Sequence, residues 1–298
     1  MLRSAIRSLL RRRIAYDIAR SATDEAIAST GLHYPCEFME FIYELIRPAT
    51  CRVKAVKNAP GSTPTAARFD KLLAVLAQGV HPIQLSAAST VARYADRLRA
   101  DLRPFEKYTV TDVGDHFRMS SSLGSKGRIL DSIVRVCRSQ AILEFGTAYG
   151  VSSFFLLAAQ RQCGIAPRLV TVEGFAPMME LSARFLGDLF GDGVEPLHGM
   201  TDQMRDVVAG TPGGFDLFFH DADHSGLSYV NDFTRLLPAL RPGAIVVFDD
   251  IRWKRDPLAK PQSSAPMDCH AGWIQVTEHP RVRRAVEVDR SVGIVLLD

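Results

Sequence analysis

The amino-acid sequence predicts an α/β fold built on a mainly parallel sheet. Three observations support this prediction: short uninterrupted apolar runs, amphipathic helical segments between them, and two β-rich runs at the end of the chain. Continuous apolar runs are typical of strands buried on both faces, and strands that alternate with helices form parallel sheets. The apolar runs lie at 141–145, 169–173, 215–220 and 244–248. The helical segments lie near 150–160, 177–189, 201–209 and 227–239.

The two ends of the chain depart from this alternation. Runs 284–288 and 292–297 are separated by Asp-Arg-Ser, which predicts a closing antiparallel pair. Up to about residue 105 the apolar residues recur at helical spacing instead. We therefore predict a helical N-terminal region, residues 1–105, followed by one α/β domain, residues 106–298. Helical faces are expected at 38–46, at Phe69, Leu72, Leu73 and Leu76, and from Ser86 to about Leu102.

Composition limits the classes of function. The 298 residues are 47% hydrophobic and 23% charged, which is typical of a globular protein. A net charge of +3 without a basic patch interleaved with aromatic residues argues against nucleic-acid binding. The five cysteines are scattered and form no Cys-x-x-Cys pair, so a reducing, cytoplasmic setting is expected. No apolar run reaches the roughly 20 residues that span a bilayer.

The first 16 residues form a separate pattern. Five arginines precede the first acid, Asp17, and apolar residues form a helical stripe. This basic amphipathic helix would pack on the protein, lie on an anionic membrane or act as a transit sequence. Packing is the favoured interpretation, because such stripes usually face a core.

A glycine turn follows the first predicted strand. It runs Glu144-Phe-Gly146-Thr-Ala-Tyr-Gly150-Val-Ser152 and leads into a helix, as a ligand-binding loop at a helix N-terminus would. The spacing lacks the middle glycine of dinucleotide folds, which disfavours a pyrophosphate ligand. Glu173 ends the next strand, where a carboxylate can accept hydrogen bonds from both ribose hydroxyls of an adenosine ligand.

Acidic residues end the two following strands. Asp221 ends the run 215–220, with Asp223 and His224 beside it, and Asp249-Asp250 ends the run 244–248. Strand ends of an α/β sheet converge on one crevice, and a divalent cation commonly holds several carboxylates together there. These acids therefore predict a hard-metal site. His220, inside an apolar run, is expected to be a core histidine.

From about residue 119 to residue 298 the sequence resembles class I S-adenosylmethionine-dependent methyltransferases, and among them the metal-dependent O-methyltransferases typified by catechol O-methyltransferase. The resemblance includes the segment 121–134, the glycine turn, Glu173 and the stretch His198-Gly-Met-Thr-Asp202. It implies a Rossmann-like sheet of seven strands, six parallel and one antiparallel. The cofactor-binding residues that it implies are Leu123, Glu144, Gly146, Gly150, Ser152, Glu173, Thr201 and Asp221.

The resemblance also implies the chemistry. Asp221, Asp249 and Asp250 would bind Mg²⁺ or another divalent cation, which activates the acceptor hydroxyl. The catalytic base is His224 or Asp223, and His224 is the first choice because it titrates nearest neutral pH. Catechol enzymes carry asparagine at the position of Asp250, so catechol itself is in doubt as the substrate. The proline-rich segment 256–270, with Trp253 before it, is a possible lid over the acceptor.

The predicted function is Mg²⁺-dependent methyl transfer from S-adenosylmethionine to a hydroxyl of a small metabolite such as a sugar, a phenol or a catechol-like compound. Three alternatives stay open at this level: a metal-independent N- or C-methyltransferase, an NAD-dependent oxidoreductase, and a non-catalytic adenosyl-binding or membrane-associated protein. The predicted partner is a small hydroxylated acceptor, and no nucleic acid is expected. A homodimer and membrane contact through the basic helix are both possible.

Overall fold

The computed structural model describes residues 50–59, 63–80, 125–210, 214–253 and 268–298, together with single helical positions between 87 and 98. The predicted basic N-terminal helix, the helical face at 38–46, Leu123 and most of the lid segment lie outside the described residues. None of the helices in the described part of the chain has the length and apolar character that crossing a bilayer requires.

The described strands form one sheet of eight. They are β1 (Val53–Asn58), β2 (Ile142–Phe145), β3 (Leu169–Glu173), β4 (Val194–His198), β5 (Phe215–His220), β6 (Leu240–Phe248), β7 (Val282–Val288) and β8 (Val292–Leu297). Their order across the sheet is β1-β7-β8-β6-β5-β2-β3-β4. The pairs β2–β3, β3–β4, β2–β5 and β5–β6 are parallel, whereas β8 is antiparallel to both β6 and β7.

Helices cover both faces of this sheet. They are α1 (Pro64–Gln78), α2 (Ser125–Cys137), α3 (Val151–Gln162), α4 (Ala176–Phe190), α5 (Thr201–Ala209), α6 (Gly226–Leu236) and α7 (Cys269–Glu278). One apolar core contains side chains of α1 to α4, and a second contains side chains of α5 to α7. The strands between these cores are buried on both faces, which explains their uninterrupted apolar sequences.

Most of the predicted elements are confirmed. Every predicted strand and inter-strand helix of the α/β region is present, including the closing antiparallel pair. On α1, Phe69, Leu72 and Leu76 are fully buried, while Leu73 is only partly buried. Trp273 is fully buried on α7. At roughly 1.5–3 kcal/mol for each large apolar side chain, such burial is the main stabilisation of these helices.

One part of the prediction is wrong. The region 1–105 was expected to be helical, yet Val53–Asn58 forms β1 and pairs antiparallel with β7. The seven strands implied by the resemblance are all present, and β1 extends their sheet to eight at one edge. Its residues are all exposed or half-buried, so the segment carries little apolar signal. Edge strands depend on pairing with a neighbour, which a local pattern does not reveal.

Candidate active site

The strand β2 lies at the topological switch point of the sheet, because β3 and β4 lie on one side of it and β5 and β6 lie on the other. This strand pairs with β3 on one side and with β5 on the other, and all three run parallel. At such a switch point the carboxyl ends of the strands open into a crevice that serves as the ligand site of doubly wound sheets. Gly146 follows β2, Glu173 ends β3, and Asp221 follows β5, so the sheet brings these three predicted site residues to one edge.

The two glycines of the turn have backbones that favour glycine. The φ angles are +94° at Gly146 and +79° at Gly150. A Cβ atom at Gly146 would lie 2.1 Å from the carbonyl oxygen of Asp221, and one at Gly150 would lie 3.1 Å from the Cβ of Ser182. Both glycines therefore allow a tight turn and close packing between parts of the protein. The tight turn was predicted from the sequence, and the close approach to a ligand stays a prediction.

Glu173 lies at the mouth of the crevice, and backbone groups hold its carboxylate. Its Oε2 accepts a hydrogen bond of 2.8 Å from the N–H of Ala148, and its Oε1 accepts one of 2.8 Å from the N–H of Phe175. Each carboxylate oxygen has lone pairs left for a second donor. The two hydrogen bonds orient the side chain, so it is suited to bind a diol such as a ribose.

Glu144 and Ser152 lie beneath the glycine turn. Glu144 is fully buried, and its Oε2 accepts hydrogen bonds from the hydroxyls of Ser153 and Thr171, the latter at 2.6 Å. Burial raises the pKa of Glu144 to about 7, although Ser152 and the other two hydroxyls lower it. Ser152 is also buried, in the first turn of α3. Glu144 thus supports the turn from inside the core.

The end of β4 forms the other wall of this crevice. The N–H of Gly199 donates a hydrogen bond of 2.9 Å to the carbonyl oxygen of Glu173, which joins the two strand ends. Thr201 begins α5 and is half-buried, whereas Met200 before it is 53% exposed. An exposed apolar side chain at this place is available to contact a flat apolar ligand group.

The acids that end β5 and β6 lie together, as predicted. Asp249 is 1% exposed and donates its backbone N–H to the carbonyl oxygen of His220, which joins the two strand ends. Asp250 follows with a φ of +49°, which is uncommon for a residue other than glycine. His224 connects this pair to Asp221: its Nε2 lies 3.3 Å from Asp221 Oδ1 and 3.7 Å from Asp250 Oδ2.

The two residues proposed as the base have different surroundings. The side chain of His224 is half-buried, and its ring lies 5.6 Å from that of Trp253, which is 53% exposed. Burial alone would lower the pKa of His224, but the hydrogen bond and charge of Asp221, with the more distant acids, outweigh it and raise this pKa. Asp223 is exposed and accepts a hydrogen bond of 2.8 Å from Ser225 Oγ.

Sequence reasoning missed Lys126, on the first turn of α2. Its Nζ lies 2.5 Å from Asp249 Oδ2 and 3.1 Å from Asp250 Oδ1. Burial alone would lower the pKa of Lys126, but the charges of Asp249 and Asp221 outweigh it and raise this pKa, so the side chain is an ammonium. Burial, and then the charge of Asp221, raise the pKa of Asp249, and the charge of Lys126 opposes this effect.

Two further side chains hold the acidic pair. Tyr229 donates a hydrogen bond of 2.5 Å to the backbone carbonyl of Asp249, and Ser291 donates one of 3.1 Å to Asp250 Oδ1. His220 is fully buried and lies 3.0 Å from Asp232, which confirms it as a core histidine. The sequence offered one signal for Lys126, which lies inside the segment 121–134 that the resemblance includes, but it did not connect this lysine with the acids.

The chemistry of the donors suits a hard cation, but their arrangement does not. Asp221, Asp249 and Asp250 supply carboxylate oxygens, which are the ligands that Mg²⁺ prefers. Within the described residues, however, no three or more His, Cys, Asp or Glu side chains are arranged so that they would hold a metal ion. The ammonium of Lys126 lies between two of the three acids instead. As arranged, these residues do not fit a bound divalent cation.

Comparison with known proteins agrees with this geometry. Residues 143–251 match a family model described as a methyltransferase domain. A protein of Arabidopsis thaliana named as a caffeoyl-CoA O-methyltransferase is 26% identical over 153 residues, which are 51% of this chain and 63% of that protein. A catechol O-methyltransferase of Niastella koreensis is 30% identical over 130 residues, 43% of this chain and 56% of the relative. The chain therefore matches less than two thirds of the length of either relative.

Solved structures share the fold. An O-methyltransferase from Bacillus cereus in complex with S-adenosylhomocysteine superposes with a TM-score of 0.50 at 19% identity, covering 73% of this chain and 92% of that one. An S-adenosylhomocysteine-bound methyltransferase from Podospora anserina gives a TM-score of 0.51 at 17% identity, covering 82% and 100%. The fold is thus shared with solved methyltransferases and residues 143–251 match a methyltransferase domain, which agrees with the resemblance predicted from the sequence.

Proposed function

We propose that the chain transfers a methyl group from S-adenosylmethionine to a hydroxyl oxygen of a small molecule. One observation carries the proposal: the oriented carboxylate of Glu173 and the His224–Asp221 pair lie at the ends of β3 and β5, on either side of β2. The first is suited to bind a nucleoside and the second to accept a proton. Both curated relatives are named as O-methyltransferases, which supports oxygen as the acceptor atom.

The residues around the glycine turn would hold the cofactor. Glu173 would accept hydrogen bonds from the ribose hydroxyls, and the apolar side chain of Met200 would contact the adenine. Gly150 is the N-cap residue of α3 and has no side chain to cap the helix, so the first N–H groups of α3 would be available to the cofactor. When bound, S-adenosylmethionine supplies an electrophilic methyl group attached to a sulfonium.

The residues at the end of β5 would act on the acceptor. Neutral His224 would take the hydroxyl proton at Nδ1, while Asp221, which accepts the hydrogen bond from Nε2–H, would orient the ring and stabilise the imidazolium that forms. Asp221 would therefore contact the cofactor and would also orient His224, the base that acts on the acceptor. The exposed face of Trp253 beside His224 is suited to stack on a planar ring, which favours a phenolic acceptor over a sugar.

Dependence on Mg²⁺ stays a prediction of the sequence. It relies on Asp221, Asp249 and Asp250, whose oxygens would have to turn toward one ion to bind it. Because Lys126 lies between two of these acids, no step of the proposed reaction is derived through a metal. A cytoplasmic setting and a homodimer likewise stay predictions, and the four described cysteines are free thiols.

The cofactor part is tested by isothermal titration calorimetry with S-adenosylhomocysteine. We expect binding to the wild-type chain and at least about tenfold weaker binding to Glu173→Gln, because hydrogen bonds to a charged group contribute roughly 1.5–3 kcal/mol. Glu180→Gln is the matched control, since Glu180 is exposed on α4. The proposal fails if the wild-type chain binds NADH and not S-adenosylhomocysteine.

The acceptor part is tested by mass spectrometry of products. The chain is incubated with S-adenosylmethionine and separate panels of phenols, catechols, sugars and amines, each with MgCl₂ or with EDTA. We expect methylation of phenolic hydroxyls. Transfer only to nitrogen or carbon would contradict the proposal of an O-methyltransferase, and product formation at equal rates in MgCl₂ and EDTA would contradict the Mg²⁺ prediction alone.

A further inference from the structure

A lysine contacts two of the three acids that were predicted to hold a metal. Lys126 reaches the acidic pair from α2, and 123 residues separate it from Asp249 along the chain. It contacts one oxygen of each acid, at 2.5 Å and 3.1 Å. The lysine side chain is 29% exposed, whereas that of Asp249 is 1% exposed. A buried carboxylate requires a paired charge, and the chain supplies that charge itself.

The other oxygen of Asp249 is also occupied. Asp249 Oδ1 accepts a hydrogen bond of 2.8 Å from the N–H of Asp250. Asp250 Oδ1, which contacts Lys126, accepts a further hydrogen bond of 3.1 Å from Ser291 Oγ. A small divalent cation needs oxygen ligands at roughly 2.0–2.1 Å in a nearly octahedral arrangement. The contact with Lys126 must therefore break before Asp249 Oδ2 and Asp250 Oδ1 are free to bind such an ion.

We infer that the Lys126 ammonium is the built-in counter-cation of Asp249 and Asp250, and that a divalent cation binds these acids only by displacing it. Lysine suits this role because its charge is compact and its stem flexible, so the head group can leave one position and reach water. Lys126 is partly exposed and has such a path. The inference shares its site with the proposed function, but it concerns cation binding and does not depend on methyl transfer.

If Lys126 and a divalent cation compete for the same two acids, removing the lysine should make the cation bind more tightly. Mn²⁺ is titrated into the full chain, and free Mn²⁺ is measured by electron paramagnetic resonance, for wild type, Lys126→Gln and Lys71→Gln. Lys71 lies exposed on α1, so its variant removes the same charge away from the site. We expect at least about tenfold tighter Mn²⁺ binding to Lys126→Gln, because displacing the lysine costs the energy of a largely buried ion pair. Lys71→Gln should match wild type.

Equal Mn²⁺ affinity of wild type and Lys126→Gln, or binding to neither, would overturn the inference. A second measurement uses only the wild-type chain, so it does not depend on the variant's folding. Acetic anhydride labels lysines, and peptide mass spectrometry compares labelling with and without saturating Mn²⁺. We expect labelling of Lys126 to rise several-fold with Mn²⁺ and that of Lys71 to stay constant. If labelling of Lys126 is the same with and without Mn²⁺, the cation does not displace the lysine and the inference is contradicted.

Titration of the same preparations with S-adenosylhomocysteine separates this inference from the proposed function. We expect cofactor binding to be the same in wild type and Lys71→Gln within about threefold, because Glu173 and the glycine turn carry it and Lys71 lies exposed on α1. Loss of cofactor binding in the wild-type chain would refute the proposed function and leave the competition result standing.

Discussion

Replacing Gly146 by alanine tests whether the glycine turn is packed against the acidic strand end. Two costs add at this position. A φ of +94° is unfavourable for a residue with a Cβ, by about 1–2 kcal/mol. The new Cβ would also lie 2.1 Å from the Asp221 carbonyl oxygen, and forcing backbone atoms apart in a packed region costs about 1–3 kcal/mol. We expect a loss of roughly 2–5 kcal/mol in the free energy of unfolding.

Two other glycines separate these costs. Gly164 has a φ of +69° and open space where a Cβ would lie, so Gly164→Ala should cost only the backbone term, about 1–2 kcal/mol. Gly187 lies exposed on α4 with no neighbour in contact, so Gly187→Ala should stabilise the protein by up to about 1 kcal/mol.

Urea unfolding followed by circular dichroism measures all three variants against wild type. The expected order of stability is Gly187→Ala, wild type, Gly164→Ala, Gly146→Ala. If Gly146→Ala is no less stable than Gly164→Ala, the close approach between Gly146 and Asp221 does not exist, and the argument that the turn positions the acid is refuted.

Two further predictions concern His224 and Glu144. His224→Asn should lower kcat about 10²- to 10⁴-fold with the KM for S-adenosylmethionine unchanged, whereas Asp223→Asn should change kcat little; the opposite result in steady-state assays would make Asp223 the base. The wild-type rate should rise with pH through a pKa above 6.5, because the base acts when neutral and its partners raise that pKa. Glu144 has a pKa near 7 in the folded chain and an ordinary value of 4.5, so between these pH values the folded state holds a proton that the unfolded state has released. Stability should therefore fall as pH rises from about 4.5 to 7, by roughly 3 kcal/mol at about 1.4 kcal/mol for each tenfold change in proton affinity. Glu144→Gln should remove this dependence, and parallel unfolding curves for the two proteins from pH 5 to 8 would contradict the reasoning.

Local sequence pattern accounts for most of the sheet. The strands β2, β3, β5 and β6 are recognisable because each is buried between two helical layers, so their residues are apolar without interruption. The edge strand β1 has no such pattern, since it borders only β7. Its lysines and valines are compatible with several structures, and the pairing with β7 determines which one forms.

In the site, too, some contacts follow from local sequence pattern and others depend on pairing between distant segments. Asp221 and His224 are three residues apart, and their contact follows from a short loop after a strand end. Asp221 and Asp249 meet because parallel strands carry their following residues to one edge, which a correct strand prediction already implies. The sequence alone therefore determined the class of fold, the crevice and the acids at its edge.

Only the tertiary structure decided what balances the charge of those acids. Lys126 lies on a helix 123 residues before Asp249, and nothing in its local sequence connects the two. Packing of α2 beside the sheet brings the ammonium to the buried carboxylate, where the energetic cost of an unpaired charge holds it. Sequence pattern records burial and local geometry, whereas the choice between a lysine and a metal ion depends on a contact between distant segments.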